Sequence, residues 1–129
     1  MVELTRIGPN LRPCIFIGPS RRDLKRFPAK VRNRMGYALK QVQEGGEPLA
    51  AKALRGFGGR SVLELVEDFD GDTYRAVYTV QFFDAVYVLH AFQKKAKKGI
   101  ATPRHEIELI KSRMRDAQAD HRARTGKGE

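Results

Sequence analysis

Hydrophobic and polar residues alternate along the middle of this chain, as they do in β-strands. The runs rich in valine, tyrosine and phenylalanine are residues 62–67, 73–82 and 85–93. Asp70-Gly71-Asp72 is typical of a hairpin turn, and Asp84 marks a second turn. Because connections this short join antiparallel neighbours, the pattern predicts a three-stranded meander.

Alternation along the central run divides its side chains between the two faces of the sheet. One face receives Arg75, Val77, Thr79 and Gln81, and the other receives Tyr74, Ala76, Tyr78, Val80 and Phe82. Tyr74 and Tyr78 can stack on a nucleobase, but this spacing is more typical of core residues. We expect the helices to cover one face and to leave the other partly open, with Arg75 as a cation fixed in the middle of the sheet.

Helical patterns precede the meander. Residues 14–17 predict a short buried strand. Residues 20–44 predict a helical hairpin or one kinked helix, which Ser20 caps and Pro28 interrupts. The apolar stripe of this helical segment, which indicates a core-facing surface, consists of Val31, Met35, Leu39 and Val42. The glycine-rich segment 47–61 predicts a loop or a short helical turn.

A last helix is predicted after a strongly basic segment. Thr102 is its predicted cap, Pro103 its first-turn residue and Glu106 the partner that closes a capping box. Its apolar stripe consists of Ile107, either Leu109 or Ile110, and Met114. Residues 1–120 are expected to form a single domain, and residues 121–129 a basic, frayed tail, because the tail lacks an apolar stripe.

The chain is strongly basic, with 25 Lys and Arg against 15 Asp and Glu and a net charge of +10. Residues 1–35 hold nine basic and two acidic side chains, and residues 94–129 hold eleven and five. Residues 36–93 hold five basic and eight acidic side chains. This balance favours a polyanionic partner, which is nucleic acid, an acidic protein or an anionic membrane surface. If both ends meet on one face of the fold, they form an electropositive groove for a phosphate backbone.

Several classes of protein are excluded. The longest apolar run, Ala85 to Leu89, is far shorter than the ~18 residues of a membrane span. Because no basic and apolar leader opens the sequence, we expect no secretory signal and a location in the reducing cytoplasm. Cys14 is the single cysteine and cannot form an internal disulfide. His90, His105 and His121 lack metal-ligand spacing, so no metal is expected.

The motifs of the chain occur in an order that resembles a known toxin family. They are Ala-Lys-x-Leu-x-Gly-Phe-Gly, Val-Leu-Glu-Leu, Tyr-Arg-Ala-Val-Tyr, Val-Leu-His-Ala-Phe-Gln-Lys-Lys and Lys-Lys-Gly-Ile-Ala-Thr-Pro. Over residues 13–118 the chain resembles the phage-derived branch of the RelE/HigB-like toxins, and most closely the Tad toxins of Tad–Ata modules. The resemblance implies an α+β fold of the RelE/ParE type, in which a small, twisted, mainly antiparallel sheet carries an N-terminal helical hairpin and a C-terminal helix.

The resemblance also implies a function. Such toxins belong to type II toxin–antitoxin systems and are held inactive by a cognate antitoxin, usually a small helix-turn-helix protein. Many are endoribonucleases that cut mRNA on the ribosome without a metal or another cofactor. The ribose 2′-hydroxyl attacks the adjacent phosphate, so side chains must take up its proton, neutralise the developing charge and protonate the leaving oxygen.

Three basic residues match the catalytic region of the family. Arg75 lies in the Tyr-Arg motif, where its forked guanidinium suits the non-bridging phosphate oxygens. Alternatively, Arg75 forms a salt bridge with Glu64 or Glu67. Lys94 and Lys95 match the basic pair after the last strand. Each of these lysines either stabilises charge, acts as base or acid, or contributes only to general attraction of RNA.

Other candidates for the acid and the base have structural alternatives. Glu64 is either a general base or a structural partner of the nearby arginine. His105 is either an acid or a solvated helix residue. His90 alternates with Val86, Val88 and Phe92 and is better explained as a packed, hydrogen-bonded core residue. The residues predicted to bind RNA are Lys52, Arg55, Arg60, Lys97 and Lys98.

Two other functions fit the same sequence. A ParE-like toxin on this fold poisons gyrase through protein contact, and an RNA-cleavage assay with a gyrase supercoiling control separates it from a ribonuclease. A catalytically silent domain binds only antitoxin or nucleic acid and does not arrest growth.

Overall fold

The computed structural model describes residues 2–3, 11–94 and 102–126. Within these ranges the strands are β1 (Val2–Glu3), β2 (Cys14–Phe16), β3 (Ala51–Ala53), β4 (Val62–Phe69), β5 (Asp72–Thr79) and β6 (Val86–Lys94). The helices are α1 (Ser20–Lys25), α2 (Ala29–Gln43) and α3 (Arg104–Thr125). None of these helices has the length and the hydropathy that crossing a membrane requires.

The strands form one sheet in the order β1-β2-β6-β5-β4-β3. Strand β2 runs parallel to β6, and the other neighbouring pairs are antiparallel. The predicted meander is confirmed as β4, β5 and β6, and the turn between the first two contains Asp70 and Gly71, both with positive φ. The architecture is the predicted α+β fold, a mainly antiparallel sheet with two N-terminal helices and a C-terminal helix.

Strand β3 corrects one prediction. The sequence predicts a loop or a helical turn at 47–61, but Ala51–Ala53 forms the outer strand beside β4, with Lys52 opposite Glu64. This strand is short and largely exposed. It therefore lacks the hydrophobic alternation by which strands are recognised in a sequence, and its pairing with β4 defines it.

Helices cover both faces of the sheet. Helix α2 packs on one face through its predicted apolar stripe. Helix α3 packs on the other face through Ile110, Met114 and Ala117, all of which are buried. The expectation of a partly open face is therefore wrong. The apolar stripe of α3 needs a surface on which to be buried, and α2 already occupies the first face.

A β-bulge in β6 decides which side chains face α3. Val77 pairs with His90 whereas Tyr78 pairs with Val88, so Leu89 is an additional residue in β6. As a result Leu89 and His90 both lie on the α3 side of the sheet, while Val88 packs on the α2 side. The predicted face shared by His90 and Val88 is wrong, because strict alternation does not continue through a bulge.

Tyr74 and Tyr78 are core residues, as the strand pattern favours. The rings of Tyr74 and Phe27 pack edge to face, with 5.0 Å between centroids. Burial raises the pKa of Tyr78 to about 12. Strand β5 ends at Thr79, and Phe82 beyond it packs on the α3 side, so the predicted face shared by Tyr78 and Phe82 is wrong.

The predicted caps Ser20 and Thr102 have other roles. Pro19 precedes α1 and Pro103 precedes α3, and neither helix has a side-chain cap. The Ser20 hydroxyl donates instead to the Val88 carbonyl of β6 at 3.1 Å, and the Thr102 hydroxyl turns toward the sheet. A hydroxyl that serves a tertiary partner is not available to the first turn of its own helix.

Helix α3 continues to Thr125 and so includes part of the predicted frayed tail. Asp120 accepts a hydrogen bond from the Tyr87 hydroxyl at 2.8 Å. The His121 ring packs on Phe82, with 4.6 Å between ring centroids. These contacts hold the last turns of the helix on the sheet although those turns carry no apolar stripe.

Ile110→Ala is expected to lower the free energy of unfolding by about 2–5 kcal/mol, because it leaves a cavity between α3 and the sheet. Ile110 is fully buried, whereas the adjacent Leu109 is 36% exposed. Leu109→Ala is the matched control and should change stability by about 0.5 kcal/mol or less. Urea unfolding measures both variants, and equal effects would contradict this packing of α3.

Candidate active site

Polar side chains converge where the first turns of α3 meet strands β4, β5 and β6. We call this group the polar cluster. Its members are Glu64, Arg75, His90, Lys94, Thr102, Glu106 and Arg113. Glu64 lies opposite Val77 and Arg75 lies opposite Val66, so the two charged residues are diagonal neighbours on one face of the sheet. The strand register alone therefore brings them together.

Arg75 and Glu64 form a buried ion pair. Arg75 Nη1 donates to Glu64 Oε1 at 2.9 Å, and the two side chains are only 3% and 5% exposed. The Thr102 hydroxyl donates to Glu64 Oε2 at 3.3 Å and accepts from Arg75 Nη1 at 3.5 Å. Of the two predicted partners, Glu64 is the correct one, since Glu67 lies 3.6 Å from Arg34 instead.

Lys94 ends strand β6 at the rim of this ion pair. Partial burial lowers the pKa of Lys94, and the positive charge of Arg75 lowers it further, while Glu64 and Glu106 act in the opposite direction. A lysine whose pKa is lowered gives up its proton more readily near neutral pH. Lys95, Lys97 and Lys98, which the sequence also predicts to act on RNA, lie outside the described residues.

His90 is a packed, hydrogen-bonded core residue, as predicted. Its ring stacks on Phe92, and its two nitrogens contact α3. Arg113 Nη1 lies 2.9 Å from Nδ1, and because arginine can only donate, Nδ1 is the acceptor. The proton of the neutral ring is therefore on Nε2, which donates to Glu106 Oε1 at 2.6 Å. Burial lowers the pKa of His90, and Arg113 adds to this effect against the opposing influence of Glu106.

Glu106 is a functional candidate that the sequence does not reveal. The sequence assigns it to a capping box with Thr102, which the structure does not form, and carries no separate signal for another role. The side chain is 18% exposed, and its second oxygen, Oε2, lies 3.6 Å from Nε2 of His105. His105 itself is 79% exposed, so the structure places it at the outer edge of the cluster.

The predicted RNA-binding cations near β3 are only partly close to the cluster. Lys52 lies opposite Glu64 in the strand register and so belongs to the same region of the sheet. Arg55 follows β3 and is exposed. Arg60 donates to Glu47 at 2.9 Å, so part of its charge is neutralised.

A second basic region lies on α1, which packs against β6. The side chains of Arg21, Arg22, Lys25 and Arg26, with Gly18 and Pro19, line a surface cavity of about 450 Å³. Arg113 borders this region, because its Nε lies 3.6 Å from the place where a Cβ on Gly18 would stand. Arg113, from the C-terminal part of the chain, and the basic residues of α1 therefore lie near each other beside β6.

Acidic and imidazole groups in the described part of the chain do not form a metal centre. Across residues 11–94 and 102–126, no group of three or more His, Cys, Asp or Glu side chains is arranged to hold a metal ion. What the polar cluster offers chemically is three cations, two carboxylates and a hydrogen-bonded imidazole.

Acidification is expected to destabilise the fold through His90. Because the folded state lowers the pKa of His90, the unfolded chain takes up the proton at a higher pH than the folded chain does. The contribution of the neutral ring to the free energy of unfolding is therefore complete above the ordinary histidine pKa of about 6.5. It is lost as pH falls through the pKa of His90 in the folded state. Protonation of Nδ1 also places a positive ring against Arg113, while Glu106 and Asp23 partly offset that charge.

Urea unfolding at a series of pH values checks this expectation. The His90→Gln variant lacks the titrating ring and should lose less stability on acidification than the wild type. The His105→Gln variant is the matched control, because that ring is exposed, and it should follow the wild type. Equal declines in all three proteins would show that His90 does not carry the effect.

The fold and the cluster together define a small protein compatible with the RelE-like fold. Residues 22–115, more than half of the chain, match the model of the phage-derived Gp49-like family (DUF891). The chain therefore belongs to this family, which is part of the toxin–antitoxin-related RelE/HigB-like group. No curated protein matches the chain.

Proposed function

We propose that this chain is the toxin of a type II toxin–antitoxin module of the Tad kind and that it cleaves mRNA on the ribosome. The observation that carries the proposal is the position of Lys94, which the register of β5 and β6 makes a diagonal neighbour of Arg75 and so places beside the buried Arg75–Glu64 pair. Membership of a toxin–antitoxin-related family supports it. Phosphoryl chemistry on RNA needs a cation at the phosphate and a proton donor for the leaving oxygen, and Lys94 can supply both.

The ion pair acts on the reaction through Lys94. Arg75 is held in place by Glu64 and Thr102, and its charge is largely balanced by the carboxylate. Burial lowers the pKa of the Lys94 ammonium, and the remaining field of Arg75 lowers it further. In this account Arg75 is a positioning residue, and Lys94 contacts the phosphate and the leaving 5′-oxygen of the RNA.

The cations that flank the cluster support RNA as the ligand. Lys52 lies on the β3 side of the cluster, and the basic cavity of α1 lies beyond β6 and Arg113. A strand of RNA that crosses the cluster meets positive charge in both directions. Binding of this kind is driven by release of counterions and weakens steeply with added salt.

A cognate antitoxin, a small helix-turn-helix protein, is the proposed protein partner. The net charge of +10 and the cations around the cluster favour an acidic or amphipathic antitoxin segment that covers the same surface. An adjacent reading frame for such a protein and co-purification of the pair test this partner. Failure of the two proteins to associate would contradict it.

Cleavage by the purified protein tests the proposed activity. The protein is added, with a chelator present, to ribosomes that translate a defined mRNA. We expect cuts within the reading frame that leave a 2′,3′-cyclic phosphate and a 5′-hydroxyl, the products of attack by the 2′-hydroxyl. Intact mRNA combined with inhibited gyrase supercoiling would instead indicate the ParE-like function, and intact mRNA with normal supercoiling a silent binding domain.

A further inference from the structure

We infer that Glu106 is the general base of this reaction and that His90 and Arg113 position its carboxylate. The inference rests on the proposed ribonuclease function and adds the group that takes up the proton of the ribose 2′-hydroxyl. It depends on three residues that the hydrogen bonds of the structure connect in a row.

These hydrogen bonds run in one direction, from Arg113 through His90 to Glu106. Arg113 donates to Nδ1 of His90 at 2.9 Å and to the Leu89 carbonyl at 3.1 Å, which anchors its guanidinium on β6. His90 then donates from Nε2 to Glu106 Oε1 at 2.6 Å. Because an arginine cannot accept, the ring cannot reverse its tautomer while this contact persists. One oxygen of Glu106 is thus held by a donor, and Oε2 points away from that bond.

Glu106 fits the role of base better than Glu64. Both oxygens of Glu64 are engaged, one by Arg75 and the other by Thr102, and its side chain is 5% exposed. Glu106 is 18% exposed, and His105 lies 3.6 Å from its Oε2, beyond the length of a good hydrogen bond. A base must reach its substrate, and of the two carboxylates Glu106 has the more accessible oxygen.

The reaction balances with the residues present. The 2′-hydroxyl gives its proton to Glu106 Oε2, and its oxygen forms a bond to phosphorus. The bond from phosphorus to the 5′-oxygen breaks, and that oxygen takes a proton from the Lys94 ammonium. The products are a 2′,3′-cyclic phosphate and a 5′-hydroxyl. Solvent then returns a proton to Lys94 and removes one from Glu106, so the site returns to its starting state.

Charged and titratable groups from two elements face Glu106. From β6 these are His90 and Lys94, and from α3 they are His105 and Arg113.

The test compares Glu106→Gln with Glu108→Gln in the ribosome cleavage assay. Glu108 lies two residues further along the same helix and is exposed, so its variant is the matched control. We expect Glu106→Gln to cleave about 10²–10⁴-fold more slowly, while Glu108→Gln resembles the wild type. If Glu106→Gln cleaves as fast as the wild type, the assignment is wrong. If the wild type itself does not cleave, the proposed function is wrong and the base assignment falls with it.

The positioning role has a readout of its own. Nitrogen chemical shifts of the His90 ring in labelled protein should show the proton on Nε2 in the wild type and a mixture of tautomers in Arg113→Met. Arg113→Gln, whose amide can still donate to Nδ1, should restore the Nε2 tautomer and part of the cleavage rate. A ring protonated on Nδ1 in the wild type would overturn the positioning role.

Discussion

Arg75→Ala is expected to lower the free energy of unfolding by about 3–5 kcal/mol, a large fraction of the stability of a domain of this size. The substitution leaves the Glu64 carboxylate buried without its cation, since the two side chains are 3% and 5% exposed. Desolvation of an unpaired carboxylate is the cause of the loss. Urea unfolding measures the effect.

Two further variants show that burial is the reason. Arg34→Ala removes one partner of the half-exposed pair with Glu67, and the expected change is about 0–1 kcal/mol. The double substitution of Arg75→Met with Glu64→Leu removes both charges and should recover most of the stability that Arg75→Ala loses. Similar small effects for Arg75→Ala and Arg34→Ala would contradict the buried pair.

This result affects how toxicity assays are interpreted. A chain with Arg75→Ala that no longer arrests growth has lost its function through unfolding or through loss of the cationic field at Lys94. Arg75 is therefore a poor residue on which to base a catalytic assignment. Lys94 is a better one, because it is partly exposed at the end of β6 and its removal leaves the Arg75–Glu64 pair intact.

Lys94→Ala is expected to slow mRNA cleavage by about 10²–10⁴-fold with little change in stability, as is typical when a general acid is removed. The variant loses the proton donor for the leaving oxygen and the cation that faces the phosphate. Lys40→Ala is the matched control, because Lys40 is exposed on α2, on the opposite side of the sheet from α3.

Lys94→Arg separates the two roles of this side chain. Arginine keeps the positive charge but does not release its proton in the neutral range. If Lys94 is the acid, the arginine variant should bind RNA like the wild type and cleave it slowly. Full cleavage by Lys94→Arg would show that charge alone is needed, and full cleavage by Lys94→Ala would remove Lys94 from the reaction.

Much of the fold follows from local patterns in the sequence. Asp70-Gly71 and the alternation around it predict the meander, and the stripe from Val31 to Val42 predicts the buried face of α2. The same register makes Glu64 a natural neighbour of Arg75, so the ion pair is among the predicted alternatives. These features depend on residues that are close along the chain or on adjacent paired strands.

The features that alternation and capping rules do not give depend on distant contacts. The additional residue Leu89 is visible only in the pairing of β5 with β6, yet it turns His90 toward α3. Residues 51–53 form strand β3 because their backbone pairs with the edge of β4. The sequence predicts a capping role for Glu106, and only the packing of α3 on the sheet brings its carboxylate to His90. A site built between a bulged strand and a distant helix has no local signature.

Induced expression in a bacterial host, with the 5′ ends of cellular mRNA mapped, tests the central claim most directly. Wild type and Lys94→Ala are compared at equal protein levels. The account predicts growth arrest with new 5′ ends that follow the reading frame, and loss of both in Lys94→Ala. Arrest without new ends, or the same ends in both strains, would contradict an mRNA-cleaving toxin that acts through the polar cluster.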